Sequence, residues 1–220
     1  MSELADVSVD LIITSPPYNI GTKYADNLDR LSLGAYQGLL RRVFAECFRV
    51  LKEDGKIIIE VADSVIADGV CIQLAGYLQS VCVSLGLKLE ERRINFVNTK
   101  GGFELPDHNW NADYVTKADA HSNCHQILVL SKSKNTEFNP DGKVVYFNYS
   151  PADGHPCPIP DSMRSFLLDA YFKKGFTVLD CFMGTGSLGS EVIKRGGEYV
   201  GYELAEKHFN AAEKRLKEII

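Results

Sequence analysis

Short apolar runs rich in β-branched residues alternate along the chain with longer segments whose apolar residues recur every three or four positions. The runs at residues 7–14 and 56–62 predict buried strands. Between them, the spacing predicts a helix of about 20 residues with one apolar stripe. The stripe consists of Leu40, Val43, Phe44, Cys47, Phe48 and Leu51. Alternation of strands with helices predicts an α/β fold with a largely parallel sheet.

The same reading continues to the C-terminus. Further strands are predicted at residues 87–97, 125–131, 144–147, 176–180 and 199–203. Helices are predicted at residues 70–85, 161–172, 184–195 and 206–220. Neither repeats nor linkers interrupt the pattern, so we expect one domain over residues 1–220.

Composition narrows the class of protein further. The chain has 220 residues, of which 45% are hydrophobic, and a formal charge of −5. These values are typical of a globular protein and exclude a disordered or collagen-like chain. Apolar runs fall short of the roughly 20 residues of a membrane span, and the first residues lack a signal peptide's apolar core. Six cysteines at scattered spacings indicate reduced thiols and a cytoplasmic protein.

A glycine-rich loop follows the strand predicted at residues 176–180. Asp180 ends that strand, and Gly184, Gly186 and Gly189 lead into a helix whose N-terminus offers free N–H groups to a ligand. Glu203 ends the next predicted strand, where a carboxylate can accept hydrogen bonds from two ribose hydroxyls. The loop therefore predicts a nucleoside cofactor. The glycine spacing also fits the fingerprint of a dinucleotide-binding loop. A further alternative is a tight turn between strand and helix that binds no ligand.

A Ser-Pro-Pro-Tyr turn stops the first predicted strand. The prolines fix the backbone and remove two N–H donors, so the corner offers mainly acceptors. The Ser15 hydroxyl and the Pro16 carbonyl suit the two hydrogens of an exocyclic amine, whose lone pair is then directed toward an electrophile. Tyr18 suits stacking on a flipped base. The alternative is a Pro-Pro turn with a buried tyrosine.

Together the two signatures resemble the S-adenosylmethionine-dependent amino-methyltransferases of DNA. The turn VDLIITSPPYNIG precedes the loop FTVLDCFMGTGSLG, as in the permuted group called the β class. The resemblance covers most of residues 5–62 and 123–220. It implies a Rossmann-like, mostly parallel seven-stranded sheet with helices on both faces. It also implies S-adenosylmethionine as cofactor and methylation of cytosine N4 or adenine N6.

Residue roles follow from the resemblance by position. Ser15, Pro16, Pro17 and Tyr18 are expected to hold the target amine, and serine at the head of the turn favours cytosine N4 over adenine N6. The residues expected to bind the cofactor are His155, Asp180, Phe182, Gly184, Thr185, Gly186, Ser187 and Glu203. No metal site is predicted.

Two features depart from the family pattern. Family members usually begin with an additional strand ending in Gly-Asp, so the sheet is expected to lack one edge strand and activity is left in question. The resemblance divides the domain into a catalytic half (1–97), a variable target-recognition segment (98–154) and a cofactor-binding half (155–220). The second departure lies in the recognition segment: residues 98–150 contain five lysines against six acidic residues, a charge balance that does not favour DNA binding.

The favoured function is therefore site-specific DNA methylation within a restriction-modification setting. Double-stranded DNA with a flipped target base is the expected partner, and a homodimer and a companion restriction nuclease remain open. One alternative is an NAD-type oxidoreductase built on Gly184, Gly186 and Gly189. Another is a non-catalytic DNA-binding relic of the methyltransferase fold.

Overall fold

A sheet of seven strands runs through the part of the chain that the computed structural model describes, residues 1–24, 27–67, 69–98, 124–133, 138, 144–148 and 159–219. The described strands are β1 (Val9–Thr14), β2 (Lys23–Tyr24), β3 (Asn27–Leu28), β4 (Leu51–Ala62), β5 (Val65–Ala67), β6 (Val70–Ile72), β7 (Lys88–Asn98), β8 (Cys124–Ser131), β9 (Val144–Asn148), β10 (Thr177–Asp180) and β11 (Glu198–Gly201). The helices are α1 (Leu33–Val50), α2 (Leu74–Ser84), α3 (Asp161–Tyr171), α4 (Ser187–Lys194) and α5 (Glu206–Lys217).

Strand order in the central sheet is β11-β10-β1-β4-β8-β7-β9. Every pair is parallel except the two made by β8, which runs antiparallel to β4 and β7. Strands β2 with β3, and β5 with β6, form two separate short hairpins. The sheet is therefore mostly parallel, as the alternation of strands and helices predicted.

Helices cover both faces of the sheet and bury two apolar clusters. On one face, Leu40 and Phe44 of α1 and Leu78 of α2 pack in the cluster that contains Ile57 and Ile59. The other cluster is formed by residues that include Ile13, Ile58, Met163, Leu167 and Val192. Because β4 is apolar on both of its faces, it lies in the middle of the sheet.

The helix predicted from residue 70 begins later in the structure. Residues 70–72 form β6 instead, and α2 begins at Leu74. Gly69 has a φ of 77° and lies in the turn between β5 and β6, a backbone conformation that favours a hairpin over a helix. Likewise β11 ends at Gly201, so that Glu203 lies two residues beyond the strand.

The sequence predicts that the sheet lacks one edge strand. Among the described residues the sheet has seven strands, with β11 at one edge and β9 at the other. Residues 1–8 contain no strand and contact the β11 side of the molecule, since the Tyr202 hydroxyl donates a hydrogen bond to Glu3. As for the membrane, every helix in the described ranges is too short or too polar to cross one.

Candidate active site

The Ser-Pro-Pro-Tyr turn lies directly after β1 and is held from two sides. The Tyr36 hydroxyl of α1 donates a hydrogen bond of 2.7 Å to the Pro17 carbonyl. Asn19 adopts a φ of 59°, and its side-chain amide both accepts from the Leu31 N–H (2.6 Å) and donates to the Leu31 carbonyl (2.9 Å). Asparagine tolerates this left-handed conformation better than most residues. The turn is therefore fixed before any ligand binds.

Ser15 faces a carboxylate on the neighbouring strand. Its hydroxyl donates a hydrogen bond of 2.8 Å to Oε2 of Glu60, near the end of β4. The other oxygen, Oε1, lies 2.5 Å from Nδ1 of His125 on β8, and that nitrogen lies 3.3 Å from the Tyr18 hydroxyl. Glu60 and His125 are only 6% and 7% exposed. The turn is thus backed by a polar cluster, Ser15–Glu60–His125–Tyr18, in which Glu60 and His125 are buried.

Asp180 lies at the carboxyl end of β10, the strand adjacent to β1. Its Oδ1 accepts hydrogen bonds from the Thr14 hydroxyl (2.8 Å) and the Phe182 N–H (3.1 Å). Burial raises the pKa of Asp180 to about 6; the two hydrogen bonds oppose this shift, and the charge of Glu203 adds to it. Because Thr14 immediately precedes Ser15, this contact joins the turn to the glycine loop.

Glu203 lies beside the same loop. Its carboxylate accepts hydrogen bonds from the Gly184 N–H (3.0 Å) and the Ala205 N–H (2.8 Å). Strands β10 and β11 pair in parallel with Asp180 opposite Gly201, so their carboxyl ends lie side by side. The structure therefore brings together Asp180, Gly184 and Glu203, which the sequence placed at three separate positions.

The glycines of the loop serve different needs. Gly184 and Gly186 have φ values of 54° and 72°, which L-residues with side chains rarely adopt. A Cβ on Gly186 would lie 2.9 Å from Ala212 of α5, and a Cβ on Gly189 would lie 2.5 Å from the Tyr199 ring. At these two positions glycine is required by packing within the protein, because α4 lies close to α5 and β11.

The remaining predicted cofactor residues have varied surroundings. Phe182 is half-buried against the first apolar cluster, and Thr185 is buried and accepts a long hydrogen bond (3.5 Å) from Arg215. Ser187 is the first residue of α4. His155 lies outside the described residues.

Sequence reasoning did not identify Glu60, His125, Tyr36 or Thr14 as members of the site. Glu60 carried a usable signal, because it is the one carboxylate within the otherwise apolar end of its strand, IIIEVA. A buried charge needs a partner, so its position predicts a polar neighbour. His125 had no comparable signal, since its contact with Glu60 depends on the pairing of β4 with β8.

Comparison with known proteins agrees with this architecture. The sequence profile of the N6/N4 DNA methylase family matches residues 9–152 and 141–214. The type II methyltransferase M.HpaI of Haemophilus parainfluenzae is 25% identical, covering 98% of this chain and 70% of that protein. The DNA adenine methyltransferase YhdJ of Escherichia coli is 22% identical over an alignment that covers 95% of this chain and 76% of YhdJ.

Solved structures share the fold. The protein TTHA0409 of Thermus thermophilus, solved with S-adenosyl-L-methionine, superimposes with a TM-score of 0.70 at 20% identity, over 100% of this chain and 89% of that chain. The cytosine-N4-specific PvuII DNA methyltransferase gives a TM-score of 0.71 at 17% identity, over 99% and 85%.

The fold is therefore that of a Rossmann-like methyltransferase. Because the family profile matches most of the chain, this chain belongs to the N6/N4 DNA methylase family and is a DNA methyltransferase.

Proposed function

We propose that this enzyme transfers a methyl group from S-adenosylmethionine to the exocyclic amine of a base flipped out of double-stranded DNA, with N4 of cytosine preferred over N6 of adenine. The observation that carries the proposal is the direct link between the two halves of the site. Thr14 contacts Asp180 beside the glycine loop, and the next residue, Ser15, contacts Glu60. An acceptor corner for an amine and a loop for a nucleoside thus lie at the ends of adjacent strands.

The residues around the loop fit S-adenosylmethionine. Glu203 is oriented by two backbone N–H groups, so its carboxylate is suited to accept hydrogen bonds from ribose hydroxyls. The Tyr199 hydroxyl near Gly201 is buried and has no hydrogen-bond partner among the described residues. The charges of Asp180 and Glu203 act on this hydroxyl. When bound, S-adenosylmethionine supplies a methyl group on a positively charged sulfonium. Asp180 and Glu203 would hold its polar parts.

The contact between Ser15 and Glu60 gives the serine a defined role. Because the Ser15 hydroxyl proton points to Glu60, the oxygen presents its lone pairs to the target amine. S-adenosylmethionine would supply the methyl carbon to the amine nitrogen, and its sulfur would keep the electron pair of the broken bond. The nitrogen loses a proton to Ser15 Oγ, and the proton of Ser15 passes to Glu60. Atoms and charges balance with no covalent enzyme intermediate.

Cofactor binding tests the glycine-loop half of the proposal. Calorimetric titration is expected to show binding of S-adenosylmethionine but not of NAD. At 100 times its dissociation constant, S-adenosylmethionine should add about 2.7 kcal/mol to the free energy of unfolding.

Gly184→Asp should abolish binding of S-adenosylmethionine because it places a side chain and a like charge beside Glu203. Gly175→Asp is the matched control. Gly175 also has a positive φ (88°), but it lies before the amino end of β10, whereas the glycine loop follows the carboxyl end of that strand. Tighter binding of NAD would favour an oxidoreductase instead.

Methyl transfer tests the turn. Ser15→Ala is expected to lower the rate of transfer to duplex DNA by about 100-fold, the scale of a lost proton acceptor. Ser80→Ala on the exposed side of α2 should leave the rate unchanged. Nucleoside analysis of the product DNA then distinguishes N4-methylcytosine from N6-methyladenine. Full transfer by Ser15→Ala would contradict the proposed role.

The proposal also assigns functions along the chain. Residues 1–97 would supply the catalytic half and residues 155–220 the cofactor half, in the cytoplasm. Within the segment 98–154, β8 and β9 belong to the central sheet, so we propose that target recognition falls to the parts of this segment outside those two strands. A homodimer and a companion restriction nuclease are further candidates as partners.

A further inference from the structure

His125 contacts two different parts of the site from a third strand. It lies near the start of β8 and is 7% exposed. Its Nδ1 atom is 2.5 Å from Glu60 Oε1 and 3.3 Å from the Tyr18 hydroxyl. The rings of Tyr18 and His125 meet edge to face, with centroids 5.8 Å apart at 75°. One imidazole therefore contacts both the partner of Ser15 and the aromatic residue of the turn.

A proton on Nδ1 of His125 would satisfy the closer of its two contacts. Glu60 Oε2 accepts a hydrogen bond from Ser15, and a carboxylate can accept a second one at Oε1 from Nδ1. The Tyr18 hydroxyl lies 0.8 Å farther from Nδ1 (3.3 against 2.5 Å), so this contact is the weaker of the two. The residues opposite His125 on β4 and β7 are Ala62 and Asn95, which carry no charge.

We propose that His125 is a positioning residue for methyl transfer. By donating from Nδ1 to Oε1, it orients the Glu60 carboxylate so that the other oxygen faces Ser15, while its ring packs against Tyr18 and holds it in place. His125 itself touches neither the amine nor the methyl group. The inference rests on the proposed function, because Ser15 and Tyr18 are the residues assigned to the target base.

Two substitutions separate the Nδ1 contact from simple packing. His125→Asn keeps an amide donor near the position of Nδ1, whereas His125→Gln places its amide near Nε2 and leaves Glu60 without this donor. We expect His125→Gln to lower kcat for methyl transfer about 10- to 100-fold. Its KM for S-adenosylmethionine should stay unchanged, because the cofactor loop lies on other strands. His125→Asn should restore most of kcat.

Equal kcat for the wild type and His125→Gln would overturn the inference, as would equal losses in the asparagine and glutamine variants. Thermal unfolding of both variants shows whether a loss of kcat reflects a loss of folding. A wild-type enzyme that transfers no methyl group would instead contradict the proposed function, which distinguishes the two failures.

Histidine tautomers supply a readout that does not need activity. Long-range ¹H–¹⁵N spectra of the wild-type protein distinguish a protonated Nδ1 from an unprotonated one, and the signal of His125 is identified by its absence from either variant. A proton on Nδ1 at the pH of the assay is the expected result. A neutral ring protonated only on Nε2 would refute the assignment even if both folded variants are inactive.

Discussion

The Asp180 carboxyl group is buried at the end of β10, next to a second carboxylate. Burial and the charge of Glu203 favour its neutral form, whereas Thr14 and the Phe182 N–H favour the charged form. The net effect is a pKa raised to about 6, from a usual value of 3.8. A carboxyl group in this state is costly to the folded protein at neutral pH, which fits the role of holding the cofactor that we propose for Asp180.

This balance makes stability depend on pH in a defined direction. Because the pKa of Asp180 is higher in the folded state, its favourable contribution is complete below about pH 4 and is lost as pH rises through 6. Asp180→Asn should therefore gain about 2 kcal/mol of unfolding free energy relative to the wild type between pH 4 and pH 7. Chemical denaturation across this range measures the difference.

Asp169→Asn provides the comparison, because Asp169 is exposed on α3 and pairs with Arg195 at the surface. Such surface pairs contribute little, so the difference from the wild type should stay nearly constant with pH. A constant difference for Asp180→Asn as well would show that its carboxyl group is not destabilised by burial.

At the scale of elements, close approach of α4 to its neighbours dictates part of the glycine loop. Gly189 lies against the Tyr199 ring of β11, and Gly186 lies against Ala212 of α5. The helix N-terminus next to Asp180 and Glu203 is thereby held at a fixed distance from the strand ends. Packing alone therefore requires glycine at two positions of this loop.

Two helical glycines permit a matched test of this interpretation. Gly76→Ala in α2 meets no atom closer than 3.9 Å and should raise the free energy of unfolding by about 0.5–1 kcal/mol through helix propensity. Gly189→Ala, at the corresponding third position of α4, should lower it by about 1–3 kcal/mol because its Cβ would overlap Tyr199. Equal effects in urea denaturation would show that α4 shifts freely.

At the scale of the whole molecule, a negative protein must bind a negative polymer. The formal charge is −5. Contact with DNA therefore depends on local groups rather than on a general attraction. Under the proposed function, binding energy from these contacts would also offset the cost of flipping the base.

Salt dependence of DNA binding follows from this charge. With few phosphates neutralised, a plot of log K against log salt concentration should have a slope shallower than about −5. Fluorescence anisotropy with a non-specific duplex measures it, and single-stranded DNA of the same sequence is the control for the cost of base flipping. A slope near −10 would reveal a basic surface outside the described residues.

Much of the fold was readable from the sequence. The strands of the central sheet and the five helices have the predicted order, because their apolar periodicities are long and regular. The four strands of the two short hairpins were not predicted, and β4 begins at Leu51, which the periodicity had placed in the preceding helix. The start of α2 was wrong, since the hairpin of β5 and β6 depends on a turn at Gly69 rather than on periodicity. Roles for Ser15, Tyr18, Asp180 and Glu203 remain proposals, although the structure brings these residues to neighbouring strand ends.

The sequence by itself determined the α/β class, the two motifs and their permuted order, because each is a local pattern of a few adjacent residues. Only the tertiary structure decided which distant groups meet. Ser15 meets Glu60, and Glu60 meets His125, because β4 lies between β1 and β8 in the sheet. Strand order is a property of the folded chain that no short stretch encodes, and the polar cluster behind the turn exists only through it.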